Sequence, residues 1–572
     1  MKKLKQKKAL FFLLAILAIA AIFRFWDLTA VPPGLYPDVA INGNEALSAL
    51  KNGDFKLFYP ENNGREGLFI NLIAFSFWLF GPTVFAIKLV PAIFGTLTVL
   101  GIYLLTKQLF SYLDWRVNKQ KAEMIALLSS FFLAISFWHV NFSRLGFRAI
   151  LVPFFLTWSF YFLFKLIIQV EKFNKKSLPR IACFALCAGF LFGLGFHTYI
   201  SFRIAPLILI PTAIFAFINY ARVLNSYRKN KIKLGKAFLR SYFKDGWFGW
   251  DLFFLAIILA ALPMAIYFYQ HPADFAGRTG QVSILSADNP AKEFVISTVK
   301  TLGQFVIFGD QNWRHNDPSS PQIFWPVIPF FLAGLIYCFW QVLNLKNWKS
   351  KNFFILQVNL TLLFWWGAML APAILTREGL PHSLRSIGSI PPSYIFIGLG
   401  AYLLLEFIKK SIRKKKTKKI IYGFLFLCLI LLAGVEFWRY LIYWGNNPIT
   451  RGAFTQAFVD QANYLNSLPQ TVKKYVMVNE GGVPVPSPNG IPMPAQTIIF
   501  LTNKNPSISY LLPENCDSCQ ENKIYDKSAT ITKPTVFLPL RYDEKIFNEL
   551  KSYFPSGQIE TMNGFSVFKI NF

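Results

Sequence analysis

Charge is scarce in this chain. Only 15% of its 572 residues are Asp, Glu, Lys or Arg, against 54% hydrophobic and 17% aromatic. A soluble protein of this size would carry more charge, so the composition argues against an ordinary globular domain and for a multi-spanning membrane protein. Acid is the scarcer sign: 29 Asp and Glu face 59 Lys and Arg, a net charge of +30. Such a surplus would suit a nucleic-acid partner, but the basic residues fall in short blocks between apolar runs. That is the pattern of cytoplasmic loops, and no nucleic acid is expected. The sequence also shows no Gly-rich phosphate loop, and no His-x-x-x-His or acidic triplet that fixes a metal site. Cysteine is sparse. Cys183, Cys187, Cys338 and Cys428 lie in apolar runs and read as small core residues. Cys516 and Cys519 form "CDSC" near the C-terminus; the reading is a local disulfide, since one CxxC is too little for a structural zinc site.

What is abundant is apolar sequence. Runs near 9–27, 83–109, 123–140, 149–169, 181–199, 203–220, 250–269, 325–343, 353–374, 391–409 and 420–444 are each close to the ~20 residues that cross a bilayer. The start "MKKLKQKK" places the N-terminus in the cytoplasm. Alternation then puts "DWRVNKQKAE", "EKFNKKSLPR", "ARVLNSYRKNKIKLGKAFLRSYFKDG", "NLKNWKSKN" and "KKSIRKKKTKK" inside as well. One further run, "GLFINLIAFSFWLFG" (67–81), is short and polar at its start. Counting it as a span would export every basic loop, so it reads as a helix at, or dipping into, the outer interface. The expectation is an α-helical polytopic protein with about eleven spans, N-terminus in and C-terminus out, in the cell membrane. The first run is long and lacks a small-residue cleavage site, so it reads as an uncleaved span rather than a signal peptide.

The outer face then holds loops 28–82 and 270–324 and everything past about Asn446. The tail alternates Pro/Gly-rich stretches with apolar runs, "KYVMVNE", "QTIIFLT", "TVFLPL" and "GFSVFKI", which read as strands, beside the helical "AFTQAFVDQANYLNSL". A domain 1–444, including both loops, and a small extracytoplasmic α/β domain 445–572 are expected.

All five histidines fall on the outer face or at outer span ends, His139, His315 and His382 among them. Arg65, Glu66, Arg144, Arg148, Arg314 and Arg385 join them. Any one of these reads equally well as an interfacial anchor. As a set they run against the positive-inside rule, and a bound anion at the outer interface accounts for them. Arg144 and Arg148 are four apart and would share a helix face. In "GLYPDVAINGNEALSALKNG", Asp38 and Glu45 are two helical turns apart, on one side of an amphipathic interfacial helix that Asp38 would cap.

That stretch, followed by "ENNGREGLFINLIAFSFWLFGPTVFAIKLVPAIFGTLTVLGIYLLTKQLF", resembles the start of glycosyltransferase family 39-type enzymes of the GT-C fold, which include protein O-mannosyltransferases and lipid A aminoarabinose transferases. "HVNFSRLGFRAILVPFF", "NWRHNDPSSPQIFWPVIPFFLAGL" and "LPHSLRSIGSIPPSYIFIGLG" are similar to later stretches of bacterial members. The resemblance covers most of the membrane part and leaves the tail outside. Members commonly carry Asp-Glu where this chain has Asp38-Val39, which leaves Asp38 as the main carboxylate.

The resemblance implies transfer of a sugar, with inversion, from a polyprenyl-phosphate donor to a protein, lipid or glycan acceptor at the outer face. An acceptor hydroxyl needs a base, for which Asp38 is the candidate. The leaving lipid phosphate gains charge, and Arg65, Arg144, Arg148 and Arg385 are the candidates to hold it. Glu45, Glu66, His139, His382, Arg314 and His315 are expected to support the site or bind substrate. Metal-independent chemistry is the expectation, with a divalent ion as the alternative. A lipid flippase would place ionisable groups mid-membrane, where Lys165 and Glu406 are the clearest; a non-catalytic scaffold would leave Asp38 replaceable.

Overall fold

A computed structural model describes residues 2–113, 119–171, 177–229, 247–349, 354–486, 489–512, 533–562 and 564–571. Among them, ten helices are long and apolar enough to cross a membrane: Lys7–Phe25, Val84–Ser111, Arg148–Val170, Leu178–Gly195, Ile200–Ile218, Trp247–Gln270, Trp325–Leu343, Phe354–Ile374, Ile387–Ser411 and Lys415–Trp444. The chain is a multi-pass membrane protein. In chain order its first elements are α1 (Lys2–Phe25), α2 (Pro37–Asn52), the two-residue strands β1 (Phe58–Tyr59) and β2 (Arg65–Glu66), α3 (Leu68–Phe80), α4 (Val84–Leu113), α5 (Lys119–Ile135) and α6 (Phe137–Phe142).

The expected span 123–140 is not one helix. α5 has 17 residues, about 26 Å at ~1.5 Å per residue, and it stops at Ser136. There the backbone turns extended, and the Ser136 side chain accepts from the His139 amide to cap α6. α3, with 13 residues, covers only about 20 Å and falls short of the ~30 Å hydrocarbon core.

The chain divides into two compact units, one of Met1–Trp26, Pro91–Arg144 and Arg148–Ile442, the other of Asp27–Val90, Leu145–Phe147 and Tyr443–Phe572. The loop 28–82, which the sequence assigns to a membrane domain 1–444, thus clusters with the tail.

The first unit is a helical bundle whose closest approaches need glycine. A Cβ on Gly334 would lie 1.9 Å from the Phe396 carbonyl oxygen, and one on Gly400 1.9 Å from that of Phe330. Small residues let these two spans pack backbone to backbone, the common device for helix contacts in lipid.

The second unit contains a five-stranded sheet made of β3 (Lys473–Met477), β4 (Ile508–Leu511), β5 (Thr535–Pro539), β6 (Gln558–Met562) and β7 (Phe565–Ile570). Its order is β4-β3-β5-β7-β6, with β3 parallel to β4 and β5, and β7 antiparallel to β5 and β6. Alternate residues serve two cores. Val476, Val536, Leu538 and Val567 pack with the helix Gln456–Ser467, while Met477, Phe537 and Phe568 pack with Phe547 and Leu550 of the helix Glu544–Tyr553. The strands expected at 474–480, 535–540 and 564–570 are present. The run 496–502 is instead the helix Gln496–Leu501. Its period is too short to decide strand from helix, and buried Gln496 anchors it by donating to the Ile491 carbonyl at 2.7 Å. Cys516 and Cys519 lie outside the described residues.

Candidate functional site

In the second unit the site residues are organised by α2. Pro37 at its first turn suits a helix start, and Gly53, in the left-handed conformation at φ 72°, ends it by donating to the Ala49 carbonyl. The cap position belongs to Tyr36, and no side chain caps the helix. Asp38 therefore does not cap. Its Oδ1 accepts from Asn62 Nδ2 at 3.0 Å, and the side chain keeps partial exposure at the positive end of the helix. Among the described residues Asp38 makes no ion pair.

Nor is α2 an interfacial helix with one wet face. It buries Ile41, Asn42, Gly43, Asn44, Glu45, Ala46 and Ala49. A Cβ on Gly43 would meet Ile87 Cδ1 and the Phe500 ring at 2.8 Å, and Asn44 Nδ2 donates to Gln496 Oε1 at 2.8 Å. The polar residues that mark a wet face in sequence are here satisfied inside the unit. Lys88, also buried, donates to the carbonyls of Thr29 and Pro32 at 3.3 and 3.0 Å and holds the chain leading to α2.

Arg65, expected on the donor phosphate, is buried among these groups. Its Nη2 donates to Glu45 Oε1 at 2.6 Å, its Nη1 to Asn42 Oδ1 at 2.7 Å and its Nε to the Glu61 carbonyl at 3.2 Å. Glu45 neutralises it, so Arg65 braces α2 rather than presenting a free charge. Burial pushes the Glu45 carboxyl up to about 7, against the opposing charge and hydrogen bond of Arg65. Glu66 is buried in β2.

In the first unit Arg144 and Arg148 do not share a helix face. Gly146, at φ 78°, breaks the chain between them, and Arg148 begins a separate turn. Arg144 is fully buried, donates to the Phe23 and Trp26 carbonyls at 2.9 and 2.8 Å and lies over the Tyr440 ring. Arg148 is partly exposed over the Tyr199 ring, 5.2 Å from its centroid. Arg385 donates to Thr376 Oγ1 at 2.8 Å and the Glu378 carbonyl at 2.7 Å. His139 is buried with its Nδ1 2.7 Å from Arg24 Nη2, which makes it a partner of the first span. Arg314 Nε donates to Asn312 at 3.3 Å, and its carbonyl accepts from buried Asn141 at 2.8 Å.

His315 and His382 do come together, on a carboxylate absent from the sequence expectation. His315 Nδ1 lies 3.0 Å and His382 Nδ1 3.9 Å from Asp310 Oδ2. Burial pushes the Asp310 carboxyl up, but the hydrogen bond and charge of His315, the charge of His382 and the Asn312 amide outweigh it and hold it below its ordinary value. A second buried group, Asp317–Arg439–Glu436, has both ion pairs at 3.0 Å. Arg24, Glu436 and Arg439 are buried charges toward the ends of the apolar helices Lys7–Phe25 and Lys415–Trp444. Glu406 pairs with Lys409 at 3.6 Å, and Lys165 lies over the Tyr161 ring.

The chain's fold has known counterparts. It is similar to ArnT from Cupriavidus metallidurans, solved bound to undecaprenyl phosphate, with TM-score 0.52 and 11% identity over 98% of this chain and 97% of that one. The apo state of the same protein gives 0.52 and 10% over 97% of both chains. The archaeal oligosaccharyltransferase AglB from Archaeoglobus fulgidus, solved with an inhibitory peptide and a dolichol-phosphate, gives 0.47 and 15% over 82% of this chain. The chain spans 62% of that protein's length. No protein-family model and no curated protein matches the sequence. A likeness over almost the full length of both chains shows that this chain shares the fold of ArnT; here that fold is a polytopic helical part with a C-terminal sheet domain.

Proposed function

We propose that this chain is a membrane glycosyltransferase that moves a sugar, with inversion, from a polyprenyl-phosphate donor to an acceptor at the outer face of the cell membrane, with the N-terminus in the cytoplasm. The observation that carries the reading is Asp38, a partly exposed carboxylate in the first turn of α2 that neither caps the helix nor pairs with a cation among the described residues. A carboxylate engaged in an ion pair accepts a proton poorly; one oriented by a single amide from Asn62 retains that capacity. Asp38 is the general base for the acceptor group. Full-length likeness to a fold solved with undecaprenyl phosphate supports the lipid-linked donor.

Within this reading the donor phosphate falls to Arg148 and Arg385, which keep partial exposure, while Arg144 is committed to the Phe23 and Trp26 carbonyls. Arg65, Glu45 and Asn42 hold α2 rigid beneath Asp38. The test is transfer in proteoliposomes from a radiolabelled polyprenyl-phosphate sugar to membrane acceptors. Appearance of sugar on the acceptor with release of polyprenyl phosphate is the expected result. Movement of the intact lipid between leaflets without bond cleavage would make the chain a flippase instead.

A further inference from the structure

We propose that Asp310, His315 and His382 form a binding site for a divalent ion of the zinc class. The three come from two loops, 304–324 and 375–386, which meet at one carboxylate oxygen. Each offers one ligand atom, and these atoms lie within 4.8 Å of one another. Ligands at ~2.0–2.1 Å around a tetrahedral ion stand roughly 3.4 Å apart. The observed separations from Asp310 Oδ2, 3.0 Å to His315 Nδ1 and 3.9 Å to His382 Nδ1, straddle that value. An ordinary buried ion pair needs one imidazole per carboxylate. Two imidazoles from separate loops on a single oxygen are what a cation ligated by all three requires.

The surroundings fix the carboxylate as metal sites do. Ser383 donates to Asp310 Oδ2 through its amide at 2.9 Å and its hydroxyl at 3.0 Å, while the Asn312 amide donates to Oδ1 at 2.9 Å. The loop carrying Asp310 and His315 is itself closed, with the Gln322 amide on the Gln304 carbonyl at 2.8 Å and that of Gly309 on Ser320 at 3.2 Å. Two nitrogens and one oxygen favour zinc and its first-row neighbours over calcium or magnesium, which take oxygen ligands. Metal ligation displaces protons from its ligands, so retention of an ion strengthens as pH rises. Three protein ligands leave a fourth position for water or an anionic oxygen.

The site does not depend on the proposed transfer reaction, and its test reads metal directly. Purified full-length protein is stripped with chelator, reloaded with zinc, desalted and analysed by mass spectrometry for metal. Roughly one ion per chain is expected, as for a three-ligand site. His315→Ala and His382→Ala should lose it, whereas His271→Ala, which removes an exposed histidine outside the group, should keep it. Cobalt(II) in the parent protein should give the intense visible bands of four-coordinate geometry, a readout that holds even where a variant fails to fold. No ion retained by the parent, equal retention in the His315 and His382 variants, or only six-coordinate cobalt spectra would each overturn the proposal.

Discussion

Arg65 Nη2 lies 2.6 Å from Glu45 Oε1, with both side chains almost wholly withdrawn from solvent, at 2% and 4% exposure. The pair joins β2 to the third turn of α2, one helical turn beyond Asn42, which Arg65 also holds. A cation so placed is a structural brace. The distinction matters because sequence position alone makes Arg65 a phosphate ligand.

Removing one side of a buried pair strands the other, at a cost of ~3–5 kcal/mol. Arg65→Gln is expected to lower the thermal unfolding temperature sharply, because it leaves the Glu45 carboxyl without its cation. Glu45→Gln should cost at least as much, since the buried guanidinium cannot shed its proton and keeps only a neutral amide oxygen as acceptor, whereas the Glu45 carboxyl can take a proton up. Unfolding followed by tryptophan fluorescence in detergent distinguishes the two. A thermally normal Arg65→Gln protein with weakened polyprenyl-phosphate binding would return Arg65 to the donor site.

The same pair gives stability a pH dependence. Burial raises the folded pKa of Glu45 to about 7 from its ordinary 4.5, so between those values the folded state holds a proton that the unfolded state releases. Stability from this group is complete below pH 4.5, falls as pH rises through the window, and levels off above 7. Glu45→Gln removes that titration. The unfolding temperature of the parent relative to this variant should therefore drop across the window, and a parallel response of the two proteins would show that Glu45 is ionised throughout.

Much of this architecture is legible in the sequence, since long apolar runs have few alternatives to spanning helices, and short β-branched and aromatic runs between Pro/Gly-rich stretches mark three strands of the tail. The site is legible only in parts. Asp38 stands out as an acid beside a Pro at a helix start. Arg24 sits alone, and Glu436 and Arg439 three residues apart, within strongly apolar runs, where mean hydropathy conceals them. Asp310 lies five residues before His315 in "GDQNWRH", yet His382 joins it from another loop, so no local motif exists to find. The helical reading of Arg144 and Arg148 fails at Gly146, whose left-handed backbone no periodicity registers.

Topology is open to a direct test. A 13-residue α3 is too short to span, so Asn63 and Gln120 should lie on opposite sides of the membrane, separated by the single span Val84–Ser111. Both positions are exposed. Single cysteines at each, in a cysteine-free background, should react with a membrane-impermeant maleimide from opposite faces: Asn63→Cys in intact cells, Gln120→Cys only after lysis. Labelling of both in intact cells would mean that α3 crosses and that the basic loops face outward.

The assignment of Asp38 can be separated cleanly from stability. Because Tyr36 holds the cap position and the Asp38 carboxylate faces Asn62, Asp38→Asn leaves the helix start intact. The amide oxygen can still accept from Asn62 Nδ2, so the unfolding temperature should stay close to that of the parent. The variant cannot accept a proton from an acceptor group. Transfer from the polyprenyl-phosphate sugar should fall by roughly 10²–10⁴-fold, the usual scale of a general-base contribution. Asn62→Ala should fall less, since it loosens the carboxylate without removing it. The readouts are initial transfer rate in proteoliposomes and donor affinity measured separately, because loss of a base lowers turnover and leaves binding of the lipid phosphate in place. An Asp38→Asn protein that turns over at the parental rate moves the base elsewhere on the outer face.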